Sequence, residues 1–232
     1  MRPARIMAIA EAQARDLSRR RIAMLLLVLL PLGFYLSMGS ETAFALVAGG
    51  TGMAWSVAGA ALFLALASRR TDQRLVLAGY RPVELLAGRL LCLEGLALVL
   101  VGLFSILMAR LSAPPDAGAL VLALALTGLI GVPLGLAVAS VFPHELEGAL
   151  TLIAVVGIEM SLPVSSGLAP LLPLYGPLRL LEVARWTGGG IGFPVLHATV
   201  SAGLLLSVSV YLWWRRVRVV RHPAPFSARD SM

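Results

Sequence analysis

The chain has 232 residues, of which 59% are hydrophobic and 13% charged, and its mean hydropathy is +0.89. Soluble domains carry about 25% charged residues, so a soluble globular protein and a disordered one are both excluded. All 19 basic residues are arginine, which excludes the lysine of a phosphate-gripping Walker A loop and lysine Schiff-base chemistry.

The single cysteine, Cys92, permits no internal disulfide and no thiol metal set. The net charge of +7 does not form a nucleic-acid patch, because the arginines flank apolar runs instead of clustering on a polar domain. That arrangement predicts an all-α integral membrane protein.

From the N-terminus, the segment Ala4 to Arg21 has no Pro or Gly. It places Ile6, Ile9, Ala10, Gln13 and Leu17 at helical spacing opposite Arg5, Arg15, Asp16 and Arg19. It is predicted as an amphipathic interfacial helix over residues 1–21. A cleaved signal peptide over residues 1–39 is the weaker reading, because the region ahead of the apolar run is long and holds Glu11 and Asp16.

A bilayer core of about 30 Å needs about 20 apolar residues. Six stretches are expected to span it: Ile22–Met38, Ala43–Ala67, Gly88–Ala109, Ala117–Val141, Gly148–Leu162 and Ile191–Trp214. The fifth is short because Pro163 stops it. Together they make a transmembrane domain over 22–214, followed by a basic tail over 215–232.

With the N-terminus inside, sixteen of the nineteen arginines fall on the inner side, leaving Arg110, Arg179 and Arg185 outside. The positive-inside rule then puts both termini in the cytoplasm. Tyr35 and Trp186 are expected in the outer aromatic belt, and Tyr211, Trp213 and Trp214 in the inner one.

Between spans two and three the inner loop runs Ser68-Arg69-Arg70-Thr71-Asp72-Gln73-Arg74-Leu75-Val76-Leu77-Ala78-Gly79-Tyr80-Arg81-Pro82. Thr71 is expected to cap a short helix with Asp72 in its first turn. Gly79 supplies a left-handed stop, and Pro82 suits the first turn of the next helix. Such a helix, polar below and apolar above, suits docking of a cytoplasmic partner, although a solvated loop whose arginines only set topology reads similarly.

The outer segment from Pro163 to Gly192 is apolar but broken by prolines and glycines. It is predicted to form short re-entrant helices in the outer leaflet, with an amphipathic interfacial piece from Leu178 to Trp186. Gly188-Gly189-Gly190 then releases the chain into span six.

Two acids fall within spans, Glu94 in the third and Glu159 near the outer end of the fifth. Such residues line a path, take a proton, pair with an arginine or sit near the interface. In span four, Gly131 and Gly135 make a small-xxx-small spacing that suits close helix contact. No Gly-x-Ser occurs, and His144-Glu145 begins a zinc motif that Gly148 leaves incomplete. The histidines 144, 197 and 222 are far apart. Catalysis is not expected in this chain.

The order of these features resembles the six-span permease subunits of bacterial type-2 ABC exporters. At residue level, Arg69 to Pro82 is similar to that family's cytoplasmic coupling segment. Glu145-Leu146-Glu147-Gly148 and Gly157-Ile158-Glu159-Met160-Ser161-Leu162 are similar to the start and end of its fifth span.

The resemblance implies a half-transporter working as a homodimer or paralogous heterodimer with a separate ATP-binding subunit that holds ATP and Mg. Thr71, Asp72, Gln73, Arg74, Tyr80 and Arg81 would then contact that ATPase, and Glu94 and Glu159 are candidates for the substrate path. The cargo would be apolar or amphipathic, the other partners membrane lipids, and the location a bacterial plasma membrane. The brief second inner loop, Phe142 to Glu147, departs from the pattern. Two other readings stay open: a proton-coupled secondary carrier using Glu94 or Glu159, and a non-transporting membrane scaffold.

Overall fold

The computed structural model describes residues 2–39, 43–162, 166–186 and 189–217. Its regular elements are all helical: α1 (Pro3–Arg19), α2 (Arg21–Ser37), α3 (Ala43–Ala67), α4 (Arg69–Leu77), α5 (Pro82–Ser112), α6 (Ala117–Val141), α7 (Glu145–Ser161), a 3₁₀ turn (Ala169–Leu171), α8 (Tyr175–Arg185) and α9 (Gly192–Val217).

Helices occupy all six predicted apolar stretches. By length and composition, four of them (α3, α5, α6 and α9) suffice to cross a membrane alone, and α1 with α2 counts as a fifth if that bent pair is one span. The expected six are therefore not all met by single helices. An 82° bend at Arg20 separates α1 from α2, ahead of the first apolar run, and α2 and α7 have 17 residues each. At 1.5 Å per residue that is about 25 Å, short of a hydrocarbon core of about 30 Å. The third predicted span, α5, errs the other way. It begins at Pro82, six residues before the predicted Gly88, and its 31 residues reach about 46 Å.

The centre of the fold is the pair α3 and α6. Neither has an apolar and a polar side, because both are enclosed on most of their circumference. Their backbones approach where the expected glycine spacing falls: a Cβ on Gly131 would meet Val57, and one on Gly135 would overlap the Ala58 carbonyl. Around this pair pack α2 and α7 on α3, α5 and α9 on α6, and α8 against both. Pro31 of α2 sits over Gly52 of α3 in the same manner. Ser209 of α9 donates to the Pro133 carbonyl of α6 at 2.9 Å.

α1 lies against α5, with Ile9 and the Ile6 carbonyl over Gly88. Its buried residues Ile9, Ala10 and Leu17 belong to the predicted stripe.

Local signals account for most boundaries. Pro3 and Pro82 open α1 and α5, Asp116 caps α6 by accepting the Ala119 N–H at 2.9 Å, and Gly79 takes φ +89° after α4.

Three expectations need correction. Thr71 does not cap α4. The helix starts at Arg69, directly off α3, with Ser68 at the cap position and its hydroxyl turned back to the Leu64 carbonyl at 2.6 Å. Tyr35 is not in an aromatic belt. It is fully buried, with its hydroxyl 2.5 Å from Ser112 Oγ, whereas Trp186 is 65% exposed.

The outer amphipathic piece begins at Tyr175, three residues before the expected Leu178, and packs its apolar side inward while Arg179 stays exposed. Leu178, Leu180, Leu181 and Ala184 are buried, and Gly176 fits beneath the Pro194 carbonyl and Ala198 of α9. Pro163, Gly188 and the tail from Arg218, His222 included, lie outside the described residues.

Candidate functional site: the helix between α3 and α5

α4 and the turn after it are held by three sets of polar contacts, each to a different helix. At its start, the Arg69 guanidinium donates to the carbonyls of Ala139, Phe142 and Pro143 at 2.5, 2.7 and 2.9 Å. These oxygens belong to the last turn of α6 and the loop after it, where helix carbonyls lack intrahelical partners and the negative end of the dipole favours a cation.

One turn on, Asp72 points inward. Both its carboxylate oxygens accept from Arg89 Nη2 of α5, at 3.0 and 2.9 Å. The pair is enclosed, with Asp72 5% and Arg89 1% exposed. Two charges so far from water persist only as a bonded pair, and removing one partner costs about 3–5 kcal/mol.

At the far end, Arg5 of α1 donates to the Gly79 carbonyl at 3.1 Å. Its guanidinium carbon lies 4.9 Å from the centre of the Tyr80 ring, within cation–π range. Glu84 anchors the same corner. Its carboxylate accepts the Arg2 N–H at 3.1 Å and the Arg81 N–H at 3.3 Å, and lies 3.7 Å from Arg5.

These contacts sort the expected contact residues. Thr71, Gln73, Arg74 and Arg81 are exposed, Tyr80 is half-buried under Arg5, and Asp72 is turned away from the surface. A cavity of about 310 Å³ beside Arg69, Asp72 and Gln73 separates α4 from Ser140 of α6 and Trp213 of α9. A second, of about 440 Å³, lies between α4 and α1, with Gln13, Thr71 and Tyr80 on its walls.

The two candidate path acids are not brought together. Glu94 is half-buried on α5. Arg89, five residues before it on the same helix, is bound to Asp72. Glu159 is 4% exposed, buried rather than interfacial. Its Oε1 accepts the Leu174 N–H at 3.0 Å, at the start of α8. It thus fastens the end of α7 to the outer helix.

Among the described residues no three His, Cys, Asp or Glu side chains lie close enough to hold a metal ion. His144 Nδ1 lies 3.3 Å from Glu147, and His197 meets the Pro170 carbonyl.

Sequence reasoning passed over Arg69, Arg89, Arg5 and Glu84 as functional residues. Arg89 carried a signal, since an arginine between Leu85-Leu86 and Leu90-Leu91 needs an acid or carbonyls to face. Arg69 carried none, because its partners are about seventy residues away along the chain. Compared with known proteins, the chain matches no family model and no curated protein.

Proposed function

We propose that this chain is the permease subunit of an ATP-driven exporter of the type-2 ABC class, working as a dimer with a separate ATP-binding subunit in a bacterial plasma membrane. In this reading α2, α3, α5, α6, α7 and α9 are the six spans, α2 and α7 being the short ones, and both termini are cytoplasmic. The cargo is apolar or amphipathic.

The observation that supports it best is α4. A nine-residue helix is presented with Thr71, Gln73 and Arg74 outward, while its inward side is tied to α6, α5 and α1. A push on the exposed face would reach three helices through Arg69, the Asp72–Arg89 pair and Arg5. Gln73, Arg74, Thr71 and Arg81 are the contact residues of this reading. Asp72 is a positioning residue behind them, and Tyr80 supports the turn. The lysine-free composition fits, since the nucleotide-binding engine would belong to another chain.

The test is ATPase stimulation: the permease in proteoliposomes should raise the turnover of its ATP-binding partner, and Arg74→Glu should remove that rise while leaving the permease folded. Stimulation unchanged by Arg74→Glu and Gln73→Glu together would sink the assignment.

A second reading, the proton-coupled carrier, draws on Glu94, a half-buried acid on α5 whose arginine neighbour is already taken, or on Glu159, whose Oε2 is buried without a hydrogen-bond partner. Transport driven by a pH gradient in ATP-free vesicles and abolished by Glu94→Gln would favour it.

A further inference from the structure

The hydroxyls on the spanning helices follow a pattern. Thr51, Thr127, Ser140 and Ser207 each donate to the carbonyl one turn earlier, at 2.7–2.8 Å. Ser105 of α5 and Ser56 of α3 do not. Ser56 is 3% exposed, and its Oγ has no hydrogen-bond partner. It lines a groove of about 300 Å³ between α2 and α3, walled by Leu26, Leu30, Trp55 and Phe63. The floor at Gly59 is open, with nothing within 4 Å of an added Cβ.

The other end of the groove is charged. Arg20, where α1 turns into α2, and Glu145, at the start of α7, both border it. Arg20 also holds Asp16 at 3.0 Å, at an exposed position, and a guanidinium has five N–H donors, so donors remain for a ligand. Ser56 and Leu64 lie along one wall, eight residues apart, which puts the hydroxyl about 12 Å deeper than the charged end.

The geometry points to a binding site for a single-chain amphiphile with a zwitterionic head and an oxygen-bearing group part-way along its tail. The hydrocarbon fills the groove, the anionic part of the head accepts from Arg20, the cationic part faces Glu145, and the mid-chain oxygen bonds Ser56. An all-hydrocarbon tail would leave Ser56 buried and unpaired, which is the source of the selectivity. That this ligand is the cargo rests on the exporter reading. Its binding does not, and the assay below contains no ATPase, so failure of one is distinguishable from failure of the other.

The experiment compares lysophosphatidylcholines bearing a ricinoleoyl or an oleoyl chain, which differ by one mid-chain hydroxyl. Tritiated forms are bound to the full chain in nanodiscs, with empty nanodiscs subtracted. The wild type should bind the ricinoleoyl form about fivefold more tightly. Ser56→Ala should bring the two to equal affinity while leaving the oleoyl form unchanged, and Gly59→Leu, which fills the floor, should lose both. Equal affinities in the wild type, or a preference that survives Ser56→Ala, would overturn the proposal. These two comparisons decide it even where Gly59→Leu fails to fold.

Discussion

The two ends of the bundle are built differently. At the α4 end, three helices converge on one short segment through directed contacts: Arg69 to the end of α6, Asp72 to Arg89, and Arg5 to Gly79 and Tyr80. At the α8 end, the corresponding short helix is wedged by packing, with Leu180, Leu181 and Ala184 fully buried and a single carboxylate, Glu159, holding its start.

Packing of that kind resists displacement in every direction, and the polar side that α8 exposes, Arg179 with Glu182, is paired within the helix. The charged joints hold α4 at fixed points while leaving its outward face free of the fold. A segment that must take force from outside is better served by the first design, and one that must close the far side by the second.

Substitutions can break this contrast, and the largest effect is expected at the buried pair. Arg89→Met leaves the Asp72 carboxylate enclosed and alone, and should lower stability by about 3–5 kcal/mol. The double variant Asp72→Asn with Arg89→Met should recover much of the loss, because no charge is then stranded. Thermal unfolding in detergent measures both. Equal loss in the single and double variants would mean that the pair is not the joint.

Next comes the packed centre. Gly135→Leu drives a side chain into the Ala58 carbonyl and should cost about 1–3 kcal/mol, with Gly95→Leu, which meets open space, as the harmless control. At the α8 end, Glu159→Ala strands the Leu174 N–H and should cost about 1–3 kcal/mol, while Glu159→Gln, which can still accept that bond, should cost little. Hydrogen exchange at the start of α8 reports which bond was lost.

The smallest stability effect belongs to the exposed face. Arg74→Glu should change stability by no more than about 0.5 kcal/mol, the range of surface substitutions.

Much of the helical layout was legible, because its signals are local. Apolar runs, Pro82 and Gly79 each act within a few residues of where they stand, and the position of α4 followed from them, as that of the Gly131–Gly135 contact did from the small-residue spacing. What stayed hidden depends on partners remote in the chain. The Tyr35 hydroxyl reaches Ser112, 77 residues on, and a tyrosine near the end of an apolar run looks the same whether it faces lipid or core.

Asp72 read as a surface residue because the loop is polar and short, and only the inward turn of α4 toward Arg89 reverses that. Starting α4 at Arg69 instead of at Thr71 changes how the capping residues are assigned. The burial of α8 depends on Gly176 finding α9, which no periodicity within the outer segment reveals.

In the proposed function, the outward face of α4 receives force from an ATP-binding subunit and the inward face passes it on. The most direct measurement is ATPase stimulation in proteoliposomes for three permeases side by side: wild type, Arg74→Glu and Arg69→Gln. Stimulation is expected with the wild type, and its loss in Arg74→Glu with the partner no longer bound. In Arg69→Gln loss is expected with the partner still bound, since the contact survives while the link to α6 does not. Stimulation equal in all three would show that α4 is not the coupling helix.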